Sequence, residues 1–424
     1  MLEQRWPEQG DRPGQADWLA AETARLLQFA EGSWHPLGGF GRQDDRGMVD
    51  PSESVELWIT GRMTHCFALG ELLGYPGSAG LVEHGLAALR GRLRDSEHGG
   101  WYPEVGPSGP VRTDKPFYQH CFVLLAAASA LIAGHPGAGE LVVDALAVID
   151  ERFWSEADGM VVETWDELFT EAEPYRGVNA AMHGVEAFLA AYDATGDTLW
   201  RDRAVRMITR VAREFAEPNA WRIAEHFDSA WNPLPDYNRD HPDDPFRPYG
   251  ATVGHGLEWS RLCLHAHAAL GGPAGDGPSW LVDDARRLFE AAVRDGWAAD
   301  GADGFVYTVD WDGKPVVHQR MHWVLAEGIG AATTLATVTG DDSYRRWYPV
   351  WWDYAERYLI DRELGSWHHE LDRQNRPSAT VWVGKPDAYH ALQATLLPRI
   401  PVRASLARGV RDALTSGDLE PLDR

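Results

Sequence analysis

Apolar residues recur every three to four positions in six segments of the chain, and charged residues occupy the opposite side of each segment. This period predicts amphipathic helices that pack one face on a core and expose the other. We expect these helices to form an outer layer. The six segments are Trp18–Ala30, Ala79–Leu93, Glu140–Phe153, Leu199–Phe215, Trp280–Trp297 and Tyr344–Ile360.

Six further segments alternate with these, and each is apolar on nearly all sides, rich in Ala and Gly, and has a histidine near its start. Helices with this composition are buried on both faces, so they predict an inner layer. Successive histidines are separated by roughly 55 to 72 residues, which is the length of two helices with their connections. The histidines are His65, His120, His183, His255, His322 and His390.

The connections differ at the two ends of the predicted helices. Long linkers rich in Gly, Pro and Asp precede inner helices and predict β-hairpins or long loops, as in 99–111, 303–317 and 366–383. Short Gly-centred turns, such as Gly74–Gly77, lead from inner to outer helices. The long connections therefore gather at the histidine end, where loops on a rigid scaffold commonly build a site.

Together these patterns predict an all-α fold, an (α/α)6 barrel of six helical hairpins with short β-hairpins or long loops at the active-site end. The inner ring cannot bury its apolar surface until it closes, so we expect residues 1–424 to form a single domain. The first dozen and the last twenty or so residues are expected to be dispensable for that closure.

Charge and composition limit the classes of binding partner that we expect for this protein. The formal net charge is -25 and the sequence contains no Lys/Arg run, which argues against nucleic acid and anionic membranes as partners. The stretch Met1–Gly14 lacks the apolar core of a signal peptide, and Cys66, Cys121 and Cys263 lie in apolar helical segments typical of buried thiols. We expect a cytoplasmic protein, a monomer or a homodimer, that acts on a free small molecule.

The candidate chemistry begins with the histidines, which would share one funnel if the ring closes. Glu258 follows His255 by three residues, and Asn179 precedes His183 by four, so each pair shares a helix face. Such a carboxylate can fix a histidine tautomer, hold a substrate hydroxyl or satisfy a buried network. Arg62 lies one turn before the first histidine and could stabilise an oxyanion or form a structural salt bridge.

Aromatic and polar residues near the same end could bind a sugar, because aromatic rings stack on its apolar faces and polar groups bond its hydroxyls. The sequence contains no phosphate-binding loop, dinucleotide fingerprint, HExxH or GxSxG motif, so we expect no cofactor. The candidate substrate-binding residues are Asn179, Tyr118, Trp58, His65, His120, His322, Trp323, Glu327 and Asp387.

An ordered set of these residues resembles the N-acylglucosamine 2-epimerase superfamily, and within it the branch of mannose and sulfoquinovose isomerases. The resemblance extends over roughly residues 18–397. The matching residues are Arg62 with His65, Asn179 with His183, His255 with Glu258, and His390 after Lys385, Pro386 and Asp387.

The resemblance implies an (α/α)6 barrel and a metal-independent aldose–ketose isomerase. It implies that His390 shuttles a proton between C2 and C1, and that His255 acts in ring opening or, in epimerases, in protonation from the opposite face. Arg62 would bind the enediolate oxygens, while Glu258 and His183 would orient the substrate and the histidines. Imidazole suits this task because it titrates near neutrality and can both accept and return a proton.

Several activities stay open at the level of sequence. The preferred one is interconversion of D-mannose and D-fructose, with D-lyxose and D-xylulose as a further pair. The alternatives in the same superfamily are a 2-epimerase of N-acylglucosamine, cellobiose or mannose, and a sulfoquinovose isomerase. Other classes are an inverting glycoside hydrolase, a metal-dependent isomerase and a non-catalytic scaffold. Histidine as the repeated inner residue, in place of Asp or Glu, argues against the hydrolase.

Overall fold

The computed structural model describes residues 15–271 and 277–422, and helices of two kinds alternate along them. The stretch Met1–Gly14, used above to argue against a signal peptide, lies outside these residues. The outer helices are α1 (Gln15–Ala30), α3 (Ser78–Arg90), α5 (Ala138–Val148), α7 (Thr198–Thr209), α9 (Ser279–Gly296) and α11 (Trp347–Tyr354). The inner helices are α2 (Leu57–Leu72), α4 (Phe117–Ala133), α6 (Val178–Thr195), α8 (Val253–Gly271), α10 (His322–Thr339) and α12 (Tyr389–Leu396).

Three outer helices continue beyond these bounds, which brings their ends close to the predicted ones. Wider π-type turns extend α5 over Ile149–Phe153, α7 over Arg210–Ala216 and α11 over Ala355–Leu359. Short 3-10 turns cover Glu31–Ser33, Glu217–Asn219 and Leu397–Arg399. The periodic pattern therefore located all six outer segments.

The inner helices form a closed ring. Each packs against its neighbour in the order α2, α4, α6, α8, α10 and α12, and α12 returns to α2. The outer helices lie around this ring, with α1 against α12 and every other outer helix against the inner helix that precedes it in the chain. The predicted (α/α)6 barrel is thereby confirmed.

Small residues let the inner helices approach closely. A methyl group at Gly61 of α2 would lie 2.6 Å from Cβ of Phe122 on α4, well inside van der Waals contact. Gly184 of α6 is confined in the same way, because a methyl group there would lie 2.7 Å from the Phe117 ring. The Ala and Gly content of these segments is therefore a requirement of the tight ring.

Short antiparallel strands lie at the end of the barrel where the inner helices begin. Five of the inner helices follow directly on a strand, and that strand pairs with one from the next long linker. The strands are β1 (Val55–Glu56), β2 (Glu104–Gly106), β3 (Gly109–Arg112), β4 (Lys115–Pro116), β5 (Trp154–Ser155), β6 (Met160–Val161), β7 (Thr164–Trp165), β8 (Tyr175–Gly177), β9 (His226–Asp228), β10 (Ala251–Thr252), β11 (Thr308–Val309), β12 (Pro315–Val317), β13 (Arg320–Met321) and β14 (Glu370–Leu371). The sheets are β1-β2-β3, β10-β11-β12, β4-β7, β5-β6, β8-β9 and β13-β14.

Two of the three predicted hairpins form, as β2–β3 and β11–β12. The third, in 366–383, follows the long-loop alternative of that prediction. Its strand β14 pairs with β13 from the previous connection, and within the segment an isolated antiparallel bridge joins Leu371 and Pro377. Beyond this bridge the return segment is held by the Glu370 carboxylate, which accepts backbone N–H bonds from Thr380, Val381 and Trp382 at 2.9, 2.7 and 2.8 Å. A side chain thus continues a short backbone pairing, in which the Ser378 N–H bonds the Glu370 carbonyl at 3.0 Å.

A further helix, α13 (Leu406–Ser416), packs on α2, α4 and α6 and so covers the end of the barrel opposite the loops. Its residues Leu406, Val410 and Ala413 are buried, and the Ser405 hydroxyl caps its first turn. This amphipathic helix shields the inner helices from solvent there, while the expectation that the last twenty or so residues are dispensable for closure stays a prediction. None of the described helices is both long and apolar enough to cross a bilayer.

Candidate active site

A cavity of about 640 Å³, counting the space at its mouth, opens among the starts of the inner helices. Most of the residues singled out in the sequence line it. These are Trp58, Arg62, Tyr118, Asn179, His183, His255, Glu258, His322, Trp323, Asp387 and His390.

His390 is held from behind by a buried carboxylate. Its Nδ1 lies 2.9 Å from Oε1 of Glu327, whose other oxygen accepts a 2.8 Å hydrogen bond from Nε of Arg261. Burial lowers the pKa of His390 against the opposing pull of the Glu327 charge, so the imidazole is neutral near pH 7. With its Nδ1 proton donated to Glu327, the ring directs the lone pair of Nε2 to the cavity.

His255 has the same arrangement on the neighbouring wall. Its Nδ1 lies 2.9 Å from Oε2 of Glu225, and its ring packs on Trp323 with centroids 5.3 Å apart. The backbone N–H of Thr252 bonds the second oxygen of Glu225 at 3.3 Å, which fixes the carboxylate. Two imidazoles with carboxylate-bound Nδ1 atoms therefore line one cavity.

Arg62 supplies a permanent positive charge to the cavity wall. Its guanidinium bonds Oδ2 of Asp387 and the Tyr118 hydroxyl, both at 3.1 Å, and lies over the rings of Trp58 and Phe122. Burial opposes the charge, but the phenol and carboxylate partners raise the pKa of Arg62 above its usual value. The fork is thus fixed in place and charged at every working pH.

Glu258 and His183 meet on the opposite wall without a close hydrogen bond. His183 Nδ1 lies 3.9 Å from Glu258 and 3.8 Å from Glu186. Burial, with the Glu327 charge next, raises the pKa of Glu258 well above its usual value, and burial lowers that of His183 to about 4. Both shifts favour the uncharged form of the side chain, and both residues line the cavity.

Glu225 and His369, which the sequence analysis missed, occupy equivalent positions in two long linkers. The carbonyl of each accepts the N–H of the first residue of an inner helix, Val178 at 3.0 Å and His322 at 3.1 Å. The same bond recurs in three other linkers, to Leu57, Phe117 and Val253. It caps the inner helix, and it brings two of the five linker residues, Tyr307 and His369, to the cavity lining. The residue type at this linker position differs from one linker to the next, so no sequence motif marks it.

His322 and His369 stack at the cavity wall, with ring centroids 3.8 Å apart. The His369 Nε2 lies 3.1 Å from the Asp387 carbonyl. Burial and the neighbouring imidazoles lower the pKa of His322 well below its usual value. A neutral stacked pair beside His390 adds no positive charge to compete with Arg62.

Aromatic and proline side chains narrow the mouth. Phe246 lies in the long connection between β9 and β10 and packs edge-on against Trp58, Tyr118 and Trp382, with centroids 6.5, 5.9 and 5.2 Å apart. Pro245 and other residues of this connection also line the cavity. The opening is therefore apolar at its rim and polar at its base.

Three of the expected substrate-binding residues lie away from the cavity lining. His65 faces the closed end of the barrel, where Nδ1 meets the Ser129 hydroxyl at 2.7 Å, and His120 bonds the Pro116 carbonyl at 2.8 Å and the N–H of Trp101. Glu327 lies behind His390. The repeat places every histidine on an inner helix, but the ring turns the first two away from the funnel.

Two buried groups in the cavity wall contain ligand atoms close enough to hold a metal ion: His183, Glu186 and Glu258, and Glu258, Glu327 and His390. The guanidinium of Arg261 already lies within 3.9, 3.5 and 2.8 Å of the three carboxylates. A cation is therefore present among these oxygens, and a second one placed there would be repelled.

Comparison with known proteins relates this geometry to one family. The model of the N-acylglucosamine 2-epimerase family matches residues 38–394. A D-mannose isomerase of Thermobifida fusca is 53% identical over 92% of this chain and 95% of its own, and one of Pseudomonas cannabina pv. alisalensis is 49% identical over 93% and 95%. A crystal structure of a D-mannose isomerase superposes with a TM-score of 0.84 at 27% identity, covering 90% of this chain and 97% of the other.

Proposed function

The chain belongs to the N-acylglucosamine 2-epimerase family, and on that premise we propose that it interconverts D-mannose and D-fructose by proton transfer through an enediol. It is an isomerase, and its substrate is a free sugar. Two relatives named D-mannose isomerase, at 53% and 49% identity over nearly the full length, support this activity.

The observation that carries the mechanism is the pair of imidazoles, His255 and His390, each bound through Nδ1 to a buried carboxylate at 2.9 Å. A carboxylate that accepts the Nδ1 proton leaves Nε2 as the base and stabilises the imidazolium formed when Nε2 takes a proton. His390 removes the C2 proton of the open-chain aldose, giving the enediolate. It then delivers a proton to C1 as the carbonyl forms at C2, and the proton of the C2 hydroxyl passes to the oxygen on C1, which leaves a hydroxyl on C1 and no net proton change.

His255 opens the ring in this proposal. It removes the proton of the anomeric hydroxyl and delivers a proton to the ring oxygen, so the cyclic sugar becomes the aldehyde with no net proton change. Its position on the neighbouring wall, beside the Trp323 ring, leaves His390 free for the carbon-bound proton. General acid–base catalysis of this kind contributes about 100- to 10,000-fold in rate for each step.

Arg62 stabilises the enediolate, because its permanent charge lies where the oxygens on C1 and C2 become negative. Trp58 and Trp323 bind the apolar faces of the sugar, and Asn179 and Tyr118 bind its hydroxyls. These residues line the same cavity as the two histidines. Asp387, Glu258, His183 and His322 complete the polar wall.

A neutral aldose fits this wall better than an anionic one. Among the described residues that line the cavity, Arg62 is the one Lys or Arg, and its guanidinium is bonded to Asp387 at 3.1 Å. A sulfonated sugar would need a further cation, which disfavours sulfoquinovose. D-lyxose, which is D-mannose without its C6 carbinol, is the expected second substrate.

The proposal also includes the remaining expectations on setting and assembly. The free thiols of Cys66, Cys121 and Cys263 favour a reducing compartment, and we place the enzyme in the cytoplasm. It acts as a single-domain monomer or homodimer, without a metal or an organic cofactor and without nucleic acid or membrane partners.

Product analysis tests the activity. The protein is incubated separately with D-mannose, D-lyxose, N-acetyl-D-glucosamine and cellobiose, and NMR identifies the products. We expect D-fructose from D-mannose and D-xylulose from D-lyxose. D-glucose as the first product from D-mannose would show that the protein is a 2-epimerase instead. Inversion of cellobiose at C2 of its reducing sugar, without any ketose, would also show a 2-epimerase.

A further inference from the structure

One buried guanidinium lies within 4 Å of three buried carboxylates at the base of the cavity. Arg261 on α8 lies 2.8 Å from Glu327 on α10, 3.5 Å from Glu258 on its own helix and 3.9 Å from Glu186 on α6. All four residues are at most 9% exposed. We call these four residues the Arg261 cluster.

The charges of the Arg261 cluster do not balance if every carboxyl is ionised. Three negative charges would face one positive charge, and unpaired buried charge is strongly unfavourable. The charged and ionisable groups that face Glu258 are Arg62 from α2, His183 and Glu186 from α6, Arg261 from α8, Glu327 from α10 and His390 from α12, besides the phenols of Tyr118 and Tyr389. Arg62 is the second cation among them, and it is bonded to Asp387. A proton on one of the three carboxyl groups therefore reduces the excess of buried negative charge in the cluster.

The hydrogen bonds show which carboxyl carries that proton. Glu327 accepts bonds from Arg261 and His390, and Glu186 accepts one from the Tyr389 hydroxyl, so both are stabilised as anions. Neither oxygen of Glu258 has a hydrogen-bond partner among the described residues. Of the three, Glu258 is thus the one on which a negative charge would be least compensated.

The direction of the pKa shifts agrees with these contacts. Burial opposes ionisation of Glu327, but Arg261 and His390 lower its pKa to about 2. Burial and the Glu327 charge raise the pKa of Glu258 well above its usual value, although Arg261 opposes them. The two carboxyls interact strongly, and the proton belongs to the one with fewer donors.

We propose that Arg261 divides charge within its cluster so that Glu186 and Glu327 are ionised while Glu258 is a neutral carboxylic acid facing the sugar. This role rests on the proposed function, because it gives the Glu258 O–H a sugar oxygen to bond. That bond strengthens as the oxygen becomes negative in the enediolate, as expected of a donor that acts in the transition state. Arg261 is a positioning residue that keeps Glu327 ionised and hence His390 in the tautomer with Nε2 as base.

Infrared spectroscopy tests the protonation state without any substrate. A protonated carboxyl has a carbonyl stretch separated from the carboxylate and amide bands. We expect this band at neutral pH in the difference between the wild type and Glu258→Gln. The matched control is Glu225→Gln, which removes a buried carboxylate outside the Arg261 cluster and leaves the band in place. If the difference spectrum of Glu258→Gln shows the loss of carboxylate bands and no protonated carboxyl band, Glu258 is ionised and the proposal is wrong.

The pH dependence of kcat/KM for D-mannose tests the role of Arg261. Removing its charge in Arg261→Met makes the Glu327–His390 pair take up a proton more readily. We expect kcat to fall on the order of 100-fold, with a smaller change in KM. We also expect the acid limb of the profile, the fall of kcat/KM on acidification, to move to higher pH. Arg261→Lys keeps the charge and restores the position of the acid limb.

Arg320→Lys and Arg320→Met are the matched controls, since Arg320 is equally buried and pairs with Asp300 at 2.7 Å away from the cavity lining. We expect both to keep the wild-type acid limb. An unchanged limb in folded Arg261→Met would overturn the positioning role, and if that variant does not fold the infrared band decides the charge assignment. A wild type inactive on D-mannose would refute the proposed function alone, because the infrared band is read without substrate.

Discussion

A histidine serves as a base only if one ring nitrogen keeps a free lone pair, and two cavity histidines meet this condition in the same way. His255 and His390 each bond a buried carboxylate through Nδ1, at 2.9 Å in both cases. The carboxylates come from different parts of the chain, Glu225 from a linker and Glu327 from α10. The imidazole therefore provides the base, and the carboxylate bonded to Nδ1 determines that Nε2 keeps the free lone pair.

The first prediction concerns these two histidines. His390→Ala and His255→Ala should each reduce kcat for D-mannose by about 100- to 10,000-fold, because each removes a positioned acid–base group. The control is His267→Gln, which changes a histidine on the same helix as His255 but outside the cavity lining. Circular dichroism should show an unchanged fold in all three variants. Near-normal turnover in both alanine variants would refute the assignment.

Arg62 gives the second prediction. Arg62→Lys should lower kcat/KM on the order of 100-fold, since a point charge does not reproduce the fork that bonds Asp387 and Tyr118 and faces the enediolate. Steady-state kinetics with D-mannose measure this. Full activity in the lysine variant would remove Arg62 from the stabilisation of the enediolate.

The third prediction is the acid limb of the wild type. The base must be unprotonated, and burial lowers the pKa of His390 below that of a free imidazole, about 6.5. The value of kcat/KM should therefore fall on acidification with a midpoint below that of free histidine, and it should be independent of pH just above neutrality. A midpoint at alkaline pH would contradict a buried imidazole as the base.

At this scale the sequence predicts residues that share a helix face and misses those that meet through the fold. His255 with Glu258 and Asn179 with His183 follow from helical spacing, and all four line the cavity. Glu225 lies 30 residues before His255, in a linker without a motif. The orientation of each inner helix about its axis depends on packing, which is why His65 was expected in the cavity and faces Ser129 instead.

At the scale of elements, the period of the hydrophobic residues predicts where the helices lie, but it does not predict how the connections between them fold. The six outer segments and the six inner ones appear where the pattern predicts them, because burial of a repeated apolar face dominates their stability. The segment 366–383 has the composition of a hairpin, but its own backbone pairing is limited to the bridge between Leu371 and Pro377, and the Glu370 carboxylate binds the residues that follow. Composition alone does not distinguish a strand partner from a side chain that accepts the same N–H groups.

Helix α13 gives the fourth prediction. Leu406→Ala should lower the free energy of unfolding by about 2–5 kcal/mol, because the buried side chain packs at the closed end of the barrel. Urea denaturation measures this, with the exposed Thr415→Ala on the same helix as control. Equal stability of the two variants would mean that α13 contributes nothing to the ring.

At the scale of the whole molecule, closure brings together residues from both halves of the chain. The Thr23 hydroxyl of α1 bonds that of Thr395 on α12 at 2.8 Å, and Arg62 bonds Asp387 across most of the sequence. The funnel exists only when α12 returns to α2. Repeat periodicity predicted this architecture, since an unclosed inner ring would leave its apolar faces in water.

The fifth prediction tests proton transfer most directly. D-mannose is converted in heavy water by enzyme treated with a strong chelator, and NMR locates deuterium in the product. The enediol mechanism predicts D-fructose with deuterium at C1, formed at the rate of untreated enzyme, because an imidazole that has taken the C2 proton can exchange it with solvent. D-fructose free of deuterium at C1, or loss of turnover with the chelator, would contradict a histidine-mediated, metal-independent isomerase.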